Sequence, residues 1–370
     1  MNVVFDHQIF FNQQFGGISR YYFELATGLA SMDAFDVSVV APFHINEYLQ
    51  HDTNFIVKGF YFNQKFYGSG HLTNWGRSLL LPVEYALFGC ADIIHETYYS
   101  PVPVGRGKTR VVTVYDMIHE LFPAEFKHDP GTSLAKKAAV TRADHVICIS
   151  ESTRHDLVTI LGVDPTKTSV VHLGHSFVSL DNPSSPGQGK PVRSYLLYVG
   201  HRGGYKNFSS FCQAYAGSPY LRKEFDIVAF GGAPLQGAEN VFLEGLGIRK
   251  NVHQLSGNDR LLASYYQGAA LFVYPSQYEG FGIPPLEAMH FGCPIACSNT
   301  SSIPEVVGNA GVYFDPSSPE SIRSALEHVL DDDSLRAELI VNGAKRVSMF
   351  SWQRCSEQTA EIYKTICNER

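Results

Sequence analysis

Short runs of hydrophobic residues alternate with longer amphipathic stretches from one end of the chain to the other. In the first half these runs are "NVVF", "DVSVVAP", "DIIHE", "RVVTVYD", "HVICIS" and "TSVVHLG". In the second half they are "SYLLYVG", "FDIVAFGG", "NVHQLSG", "ALFVYPS", "PIACSN" and "AGVYFD". Buried runs of this length between helix-forming stretches are typical of parallel strands covered by helices. The pattern therefore predicts an α/β protein with two doubly wound parallel sheets.

Length and composition favour two domains. The chain has 370 residues, of which 44% are hydrophobic, and this exceeds what one ordinary core needs. The stretch "SLDNPSSPGQGKP", residues 179–191, is rich in Pro, Gly, Ser and Asn and predicts a linker. We therefore predict a first domain over residues 1–178 and a second over residues 192–350. The final stretch, residues 351–370, has apolar residues at helical spacing and predicts a closing helix that packs back onto the first domain.

Charge and cysteine usage exclude several classes of protein. The net charge is −7, and acidic residues outnumber basic ones in both halves, so a nucleic-acid-binding protein is not expected. The seven cysteines are scattered, which favours reduced thiols. No charged leader and no apolar run of membrane-spanning length is evident. We expect a cytoplasmic protein, with peripheral contact at the inner face of the membrane left open.

Metal binding is not expected. The closest cysteine pair, in "CPIAC", lacks the spacing of a zinc or redox motif. The acidic run "LDDDSL", residues 330–335, is better explained as a helix start with one Asp as its cap. We therefore predict no obligatory metal and no cofactor.

The stretch "YEGFGIPPLEAMHFG", residues 278–292, carries the strongest candidate chemistry. Glu279 comes shortly after the strand "LFVYPS", and ligands of doubly wound sheets gather at the carboxyl ends of strands. Gly280 and Gly282 permit close backbone approach or a positive φ angle, and the prolines that follow suit the start of a helix. The backbone amides of Phe281 and Ile283 are therefore predicted to face an anion.

A second acid, Glu287, lies in the predicted helix. A carboxylate beside a phosphate site is electrostatically unfavourable unless neutral donors such as sugar hydroxyls bind it. Glu279 and Glu287 flanking a phosphate therefore suggest a nucleotide diphosphate sugar. The alternative is that Glu287 is only a first-turn residue favoured by the helix dipole.

These motifs resemble the retaining glycosyltransferases of family 4, which carry two glutamates separated by seven residues. "EGFGIPPLE" matches that pattern, and "FGGISRYYFELA", "ADHVICISESTRHDL", "YVGHRGGYKNF" and "SSIPEVVGNAGVYFDP" extend the similarity over nearly the whole chain. The resemblance implies the GT-B fold, in which two Rossmann-like domains face each other across a cleft. It also implies that Glu279 contacts the donor sugar and Glu287 the ribose.

Two loops are candidates for the diphosphate. Gly17 lies in a two-glycine loop before a helix, and the resemblance places this loop near the donor diphosphate. In "YVGHRGGYKNF" the family pattern has Arg, Lys and Asn, but Tyr205 stands in place of the arginine. We expect Lys206 and Asn207 to bind the donor and Arg202 to supply the missing guanidinium. Fixed cations would stabilise the charge that develops on the leaving diphosphate.

The remaining candidates are Asp116 and His119 after "VVTVY", and Gln254 with Leu255 in "VHQLSG". Relatives have a His-Asp pair at the first place, so Asp116 and His119 are candidate catalytic residues near the donor sugar, with a capping or packing role as the alternative for His119. The resemblance places the nucleotide base against the backbone of Gln254 and Leu255.

We therefore expect a retaining transfer of a hexosyl group to a saccharide or lipid-linked saccharide acceptor, in cell-surface polysaccharide synthesis. A UDP-hexose is the favoured donor and GDP-mannose the next. The aromatic residues 60–88 are the candidate acceptor surface, although aromatic residues also build cores. Two alternatives stay open, namely a nucleotide-sugar epimerase and a non-catalytic subunit that binds nucleotide sugars.

Overall fold

The computed structural model describes residues 1–62, 91–175 and 193–368. The chain divides into two compact units, one formed by Met1–Gly174 with Ser351–Arg370 and the other by His175–Phe350. The predicted linker, residues 179–191, lies outside the described residues, and so do residues 63–88 of the predicted acceptor surface.

The first unit contains a seven-stranded parallel sheet in the order β3-β2-β1-β4-β5-β6-β7. Its strands are Asn2–Phe5 (β1), Asp36–His44 (β2), Ile56–Tyr61 (β3), Ala91–Glu96 (β4), Gly107–Val114 (β5), His145–Cys148 (β6) and Thr168–Val170 (β7). The described helices of this unit are Gln8–Asn12 (α1), Gly17–Ala30 (α2), Ile118–Leu121 (α3), Pro130–Arg142 (α4), Glu151–Leu161 (α5) and Trp352–Asn368 (α14).

The strand order of the first sheet reverses between β1 and β4, and polar side chains join the strand ends there. Asp6 follows β1 and accepts a hydrogen bond from the hydroxyl of Thr97, which follows β4. The backbone and side-chain amides of Gln8 also donate to Asp6, at 2.9 and 2.8 Å. Burial raises the pKa of Asp6, and these hydrogen bonds partly oppose the shift.

The C-terminal helix α14 packs against α2 of the first unit. His95, at the end of β4, joins it to the sheet, since its Nδ1 lies 2.6 Å from the Tyr363 hydroxyl and its Nε2 lies 2.9 Å from Thr113 Oγ1. His95 is fully buried among the rings of Phe5, Tyr22 and Tyr363. Burial lowers the pKa of His95 to about 3, so the imidazole is neutral in the folded chain.

The second unit contains a six-stranded parallel sheet in the order β10-β9-β8-β11-β12-β13. Its strands are Ser194–Val199 (β8), Phe225–Phe230 (β9), Val252–Leu255 (β10), Leu271–Tyr274 (β11), Ile295–Ser298 (β12) and Gly311–Phe314 (β13). The helices are Phe208–Ala216 (α6), Pro219–Glu224 (α7), Gly237–Gly245 (α8), Asp259–Gly268 (α9), Ile283–His290 (α10), Ile303–Val307 (α11), Pro319–Asp331 (α12) and Asp333–Val347 (α13).

The buried core of the second unit lies between its sheet and the surrounding helices. Phe211 of α6, Ile227 of β9 and Leu326 of α12 are among its fully buried residues. The strand order reverses between β8 and β11, which are direct neighbours. In a doubly wound sheet this reversal opens a crevice at the carboxyl ends of the two strands. The fold predicted from the hydrophobic pattern is confirmed.

Strand β3 was missed by the sequence pattern. It lies at the edge of the first sheet, and its register against β2 shifts between Val40 and Phe43. A side chain at Gly59 would place its Cβ 1.6 Å from the Ala41 carbonyl oxygen, so the shift requires glycine there. Phe60 of β3 is 72% exposed and therefore lies outside the core.

In residues 1–62, 91–175 and 193–368, no helix combines the length and the apolar character that crossing a bilayer demands.

The buried histidine predicts an acid-sensitive first unit. The pKa of His95 is lower in the folded chain than its usual value near 6.5, so the unfolded chain binds the extra proton as pH falls from about 6.5 to 3. Between pH 7 and pH 5 the wild-type chain should lose about 2 kcal/mol more free energy of unfolding than the His95→Gln variant. Urea unfolding followed by tryptophan fluorescence measures this, because Trp352 begins α14. Equal pH dependence of the two proteins would contradict the assignment.

Candidate active site

An ion pair lies at the strand reversal of the second unit. Lys206 follows β8, Glu279 follows β11, and the Lys206 ammonium donates to both carboxylate oxygens of Glu279, at 2.7 and 2.9 Å. The Lys206 side chain is 21% exposed and that of Glu279 is 10% exposed. Each charge is therefore largely removed from water, and breaking the pair would leave the other charge uncompensated. The Gln277 amide also donates to the Tyr205 carbonyl at 2.7 Å, which joins the two loops through their backbones.

The glycine-proline loop after Glu279 leads directly into α10. Gly282 caps this helix with a φ angle of 112°, a conformation that residues with a side chain rarely adopt. Pro284 and Pro285 follow in the first turn, where their missing amide hydrogens are not needed. The loop therefore has the geometry of a helix start whose backbone amides favour an anion.

Glu287 lies just beyond the first turn of α10. The helix begins at Ile283, so Glu287 is its fifth residue and no acid occupies the first turn. Its carboxylate accepts a hydrogen bond of 2.9 Å from the hydroxyl of Tyr266, which is fully buried. The interpretation of Glu287 as a first-turn residue is therefore wrong, while its predicted contact with the ribose stays a prediction.

Three hydroxyl side chains of the loop after β12 hold the backbone of the Glu279 loop. Thr300 donates to the Gln277 carbonyl at 2.9 Å, and Ser301 accepts from the Glu279 amide at 2.9 Å. Ser302 lies 2.8 Å from both the Glu279 and the Phe281 carbonyl oxygens. These three residues were not predicted from the sequence. The signal present was a run of Asn, Thr and two Ser directly after a strand.

Asn207 was predicted to bind the donor, but its side-chain amide has other partners. It donates to the Pro275 carbonyl at 3.0 Å and to the Pro316 carbonyl at 2.7 Å. The side chain is buried, and the residue has a φ angle of 59° at the start of α6. Both amide hydrogens are thus used to join strand ends, while the predicted contact of Asn207 with the donor stays a prediction.

Arg202 has partners of its own in the second unit, and its predicted contact with the donor stays a prediction. Its guanidinium binds the Glu239 carboxylate of α8 through Nε at 2.7 Å and Nη2 at 3.2 Å. It further donates to the carbonyls of Gly231 and Ala233, at 3.0 and 2.5 Å. The side chain is 5% exposed. The structure therefore uses Arg202 to brace the loop after β9, and its charge is already neutralised by Glu239.

Gln254 and Leu255 end β10 at the same edge of the sheet. The Gln254 side-chain amide reaches the carbonyls of Gly231, Gly232 and Leu255 at 3.4, 3.3 and 3.1 Å. The Leu255 carbonyl accepts from the Gly231 amide at 2.8 Å. These residues fix the loop after β9, and their predicted contact with the base stays a prediction.

In the first unit, Gly17 begins α2 and is exposed. A Cβ atom at Gly17 would meet nothing within 4 Å, whereas one at Gly16 would lie 2.2 Å from the Gln13 side chain. Gln13 also accepts from the Ser19 amide at 3.1 Å, so one amide of the first turn already has a partner. The predicted contact of Gly17 with the diphosphate is untested by these distances.

Asp116 and His119 lie close to the end of β5. Asp116 accepts from the Ile118 amide at 3.1 Å, and the buried Lys136 ammonium lies 3.8 Å from its carboxylate. His119 Nε2 lies 3.6 Å from an Asp129 carboxylate oxygen. The centroid of the His119 ring lies 4.2 Å from the centroid of the Phe126 ring. The structure shows packing partners for His119, and the catalytic roles of both residues stay predictions.

The predicted residues therefore fall into two groups. The second unit brings together Lys206, Glu279 and the loop that ends at Gly282, while Gly17, Asp116 and His119 belong to the first unit.

Among the residues that the structure describes, no group of three or more His, Cys, Asp or Glu side chains is arranged to hold a metal ion.

A solved structure with the same architecture identifies the fold. The sucrose-phosphate synthase from Thermosynechococcus elongatus superposes with a TM-score of 0.77 and 17% identity, and the match covers 100% of both chains. Two doubly wound domains of this kind form the GT-B fold of glycosyltransferases.

Family comparisons give the particular assignment. Residues 15–176 match the family described as "Glycosyltransferase Family 4", and residues 186–346 match "Glycosyl transferases group 1". The O-antigen chain mannosyltransferase B of Escherichia coli is 30% identical over 300 residues, which cover 76% of this chain and 77% of that protein. The chain belongs to glycosyltransferase family 4.

A second relative is longer than this chain. The serotype-specific mannosyltransferase WbdA of Escherichia coli is 26% identical over 324 residues. The match covers 80% of this chain but 40% of that protein, so the chain spans less than half of the relative's length.

The contacts of Asn207 predict a graded loss of stability. Asn207→Gly keeps the left-handed backbone and loses two hydrogen bonds, so it should lower the free energy of unfolding by about 1–3 kcal/mol. Asn207→Asp places a carboxylate against two carbonyl oxygens and should cost more than about 3 kcal/mol. Urea unfolding followed by circular dichroism measures both changes.

Asn258→Asp is the matched control, because the Asn258 side-chain oxygen accepts from the Leu261 amide at 3.0 Å and an Asp would keep that partner. A loss as large in Asn258→Asp as in Asn207→Asp would argue against the role given to the Pro275 and Pro316 carbonyls.

Proposed function

We propose that this protein transfers a mannosyl group from a nucleotide diphosphate sugar to a saccharide or lipid-linked saccharide acceptor, with retention at the anomeric carbon, in cell-surface polysaccharide synthesis. The observation that carries the proposal is the Lys206–Glu279 pair at the reversal of the second sheet. The glycine loop and helix start directly after this pair supply the anion site.

The chemistry of the two side chains suits the two parts of such a donor. The Lys206 ammonium has the charge to bind a diphosphate and to stabilise it as a leaving group. The Glu279 carboxylate accepts hydrogen bonds from the hydroxyl groups of a hexose. The Glu287 carboxylate accepts a hydrogen bond from Tyr266, and as a hydrogen-bond acceptor it also suits the hydroxyl groups of the ribose.

The proposed step breaks the bond between the anomeric carbon and the diphosphate oxygen. The acceptor oxygen forms its bond to the same face of that carbon. The acceptor proton goes to the departing phosphate oxygen, so no protein nucleophile is required. Glu279 orients the sugar, and Lys206 with the amides near Phe281 and Ile283 stabilises the departing charge.

The choice of mannose is supported by the names of the relatives, which are mannosyltransferases of O-antigen synthesis. GDP-mannose therefore replaces a UDP-hexose as the first donor to test. The described contacts of Gln254 and Leu255 do not distinguish guanine from uracil, since the Gln254 side-chain amide donates to carbonyls of the loop after β9 and the Leu255 carbonyl accepts from the Gly231 amide.

Removing either charge of the ion pair should abolish most of the transfer. Glu279→Gln and Lys206→Ala are each expected to lower kcat by about 10²–10³-fold, because each removes a group that acts on the reacting sugar phosphate. The measurement is release of the nucleoside diphosphate in the presence of GDP-mannose and a mannoside acceptor.

Glu320→Gln serves as the control, because Glu320 forms an exposed ion pair with Arg323 on α12 of the same unit. This variant should keep the wild-type rate. Near-normal rates in both Glu279→Gln and Lys206→Ala, with unchanged circular dichroism, would remove the assignment of the site.

A panel of nucleotides should identify the donor. GDP and GDP-mannose are expected to raise the thermal midpoint more than UDP, UDP-glucose or ADP at equal concentration. A ligand at a hundred times its dissociation constant stabilises the folded chain by about 2.7 kcal/mol. The shift should be lost in Lys206→Ala.

Other outcomes of the panel have defined meanings. A larger shift with UDP and UDP-glucose would identify a UDP-hexose as the donor. No shift with any nucleotide would contradict the donor site. Binding without transfer would favour a non-catalytic subunit, and a changed sugar still attached to its nucleotide would favour an epimerase.

A further inference from the structure

The loop after β12 carries three consecutive hydroxyl side chains, Thr300, Ser301 and Ser302, which we call the hydroxyl clamp. Together they bond to the backbone of three residues in the Glu279 loop, and they do so on both sides of Glu279. The Glu279 amide donates to Ser301 and its carbonyl accepts from Ser302. The peptide groups before and after the Glu279 side chain are therefore both fixed.

The Ser302 hydroxyl contacts the Glu279 loop instead of forming the side-chain bond that is usual at its position. It stands at the N-cap of α11, where a serine side chain normally accepts from an amide of the first turn. Ser218 and Ser318 make that bond at the starts of α7 and α12. Ser302 makes no such bond, and its hydroxyl instead lies 2.8 Å from the carbonyls of Glu279 and Phe281.

Ser301 adopts an unusual backbone conformation to make its contact. Its φ angle is 51°, and it shares a positive φ with only Asn207 among the non-glycine residues that the structure describes. This conformation is unfavourable for a serine, so the surrounding contacts must hold it. The strained position places its side-chain oxygen 2.9 Å from the Glu279 amide.

Burial makes the contacts of Ser302 hard to replace by water. Taken as whole residues, Ser302 is 0% exposed and Glu279 is 7% exposed. If the Ser302 hydroxyl were removed, the two carbonyls would lose a donor inside the protein. The backbone on either side of Glu279 would then shift, and with it the carboxylate. Small displacements of this kind have large effects on reactions that depend on orientation.

We propose that the hydroxyl clamp positions Glu279 for the sugar of the donor, so that Ser301 and Ser302 are positioning residues of the transfer reaction. This inference rests on the proposed function of the Glu279 site. Its consequence is specific, because the clamp acts on the residue that meets the sugar. Loss of the clamp should therefore weaken recognition of the sugar more than recognition of the nucleotide.

The first test compares binding of a nucleotide with binding of its sugar. Calorimetric titrations use GDP with GDP-mannose and UDP with UDP-glucose on wild type, Ser302→Ala and Ser301→Gly. The ratio of the sugar nucleotide's Kd to the nucleotide's Kd is expected to rise about 10-fold in both variants, while the nucleotide's Kd changes less than about 2-fold. Donor turnover should fall about 10–100-fold.

Ser301→Gly keeps the test decisive if Ser302→Ala is unstable, because glycine relieves the backbone conformation while removing the side-chain oxygen. Ser318→Ala is the matched control. It removes a serine that caps α12 of the same unit, so it should lower the thermal midpoint without changing the Kd ratio.

A second test asks whether the clamp acts through Glu279. In a Glu279→Gln background, Ser302→Ala should change the Kd ratio by less than a further 2-fold, because the residue that Ser302 positions has already lost its function. Kd ratios within 2-fold of wild type in both clamp variants, or full additivity with Glu279→Gln, would overturn the inference. A wild-type chain that binds none of the four ligands would instead overturn the proposed function, and this inference with it.

Discussion

The arrangement of the second unit depends on a contact between two charges that are largely removed from water. Lys206 and Glu279 are separated by 73 positions in the chain, and each is the main compensation for the other. They meet because β8 and β11 are neighbours although β9 and β10 intervene in sequence. The parallel order of the sheet is thus a condition for the pair, since both residues lie just past the carboxyl ends of their strands.

The fold was largely predictable because parallel strands buried on both faces form continuous apolar runs. The runs at "NVVF" and "ALFVYPS" are examples that the structure confirms as β1 and β11. One Asp of the acidic run at residues 330–335 was also predictable as a helix cap, and Asp332 makes the expected bond. Strand β3 was missed because an edge strand is exposed and irregular, and its Lys58 and Gly59 interrupt the apolar pattern.

The site was predictable only where local sequence determines local geometry. The positive φ angle of Gly282 and the helix start after it follow from the glycine-proline spacing. By contrast, the partners of Arg202 and Asn207 come from distant parts of the chain, and no local pattern indicates that Glu239 or Pro316 will meet them. The hydroxyl clamp was missed for the same reason, because a run of serines resembles an ordinary loop until the neighbouring strand is known.

Under the proposed function the ion pair has to exchange partners when the donor binds. Lys206 turns to the diphosphate and Glu279 to neutral hydroxyls, so the carboxylate keeps hydrogen bonds but loses its countercharge. The diphosphate also brings more negative charge than one ammonium neutralises. Arg202 is already paired with Glu239, so the backbone amides at the start of α10 become a source of the remaining positive potential.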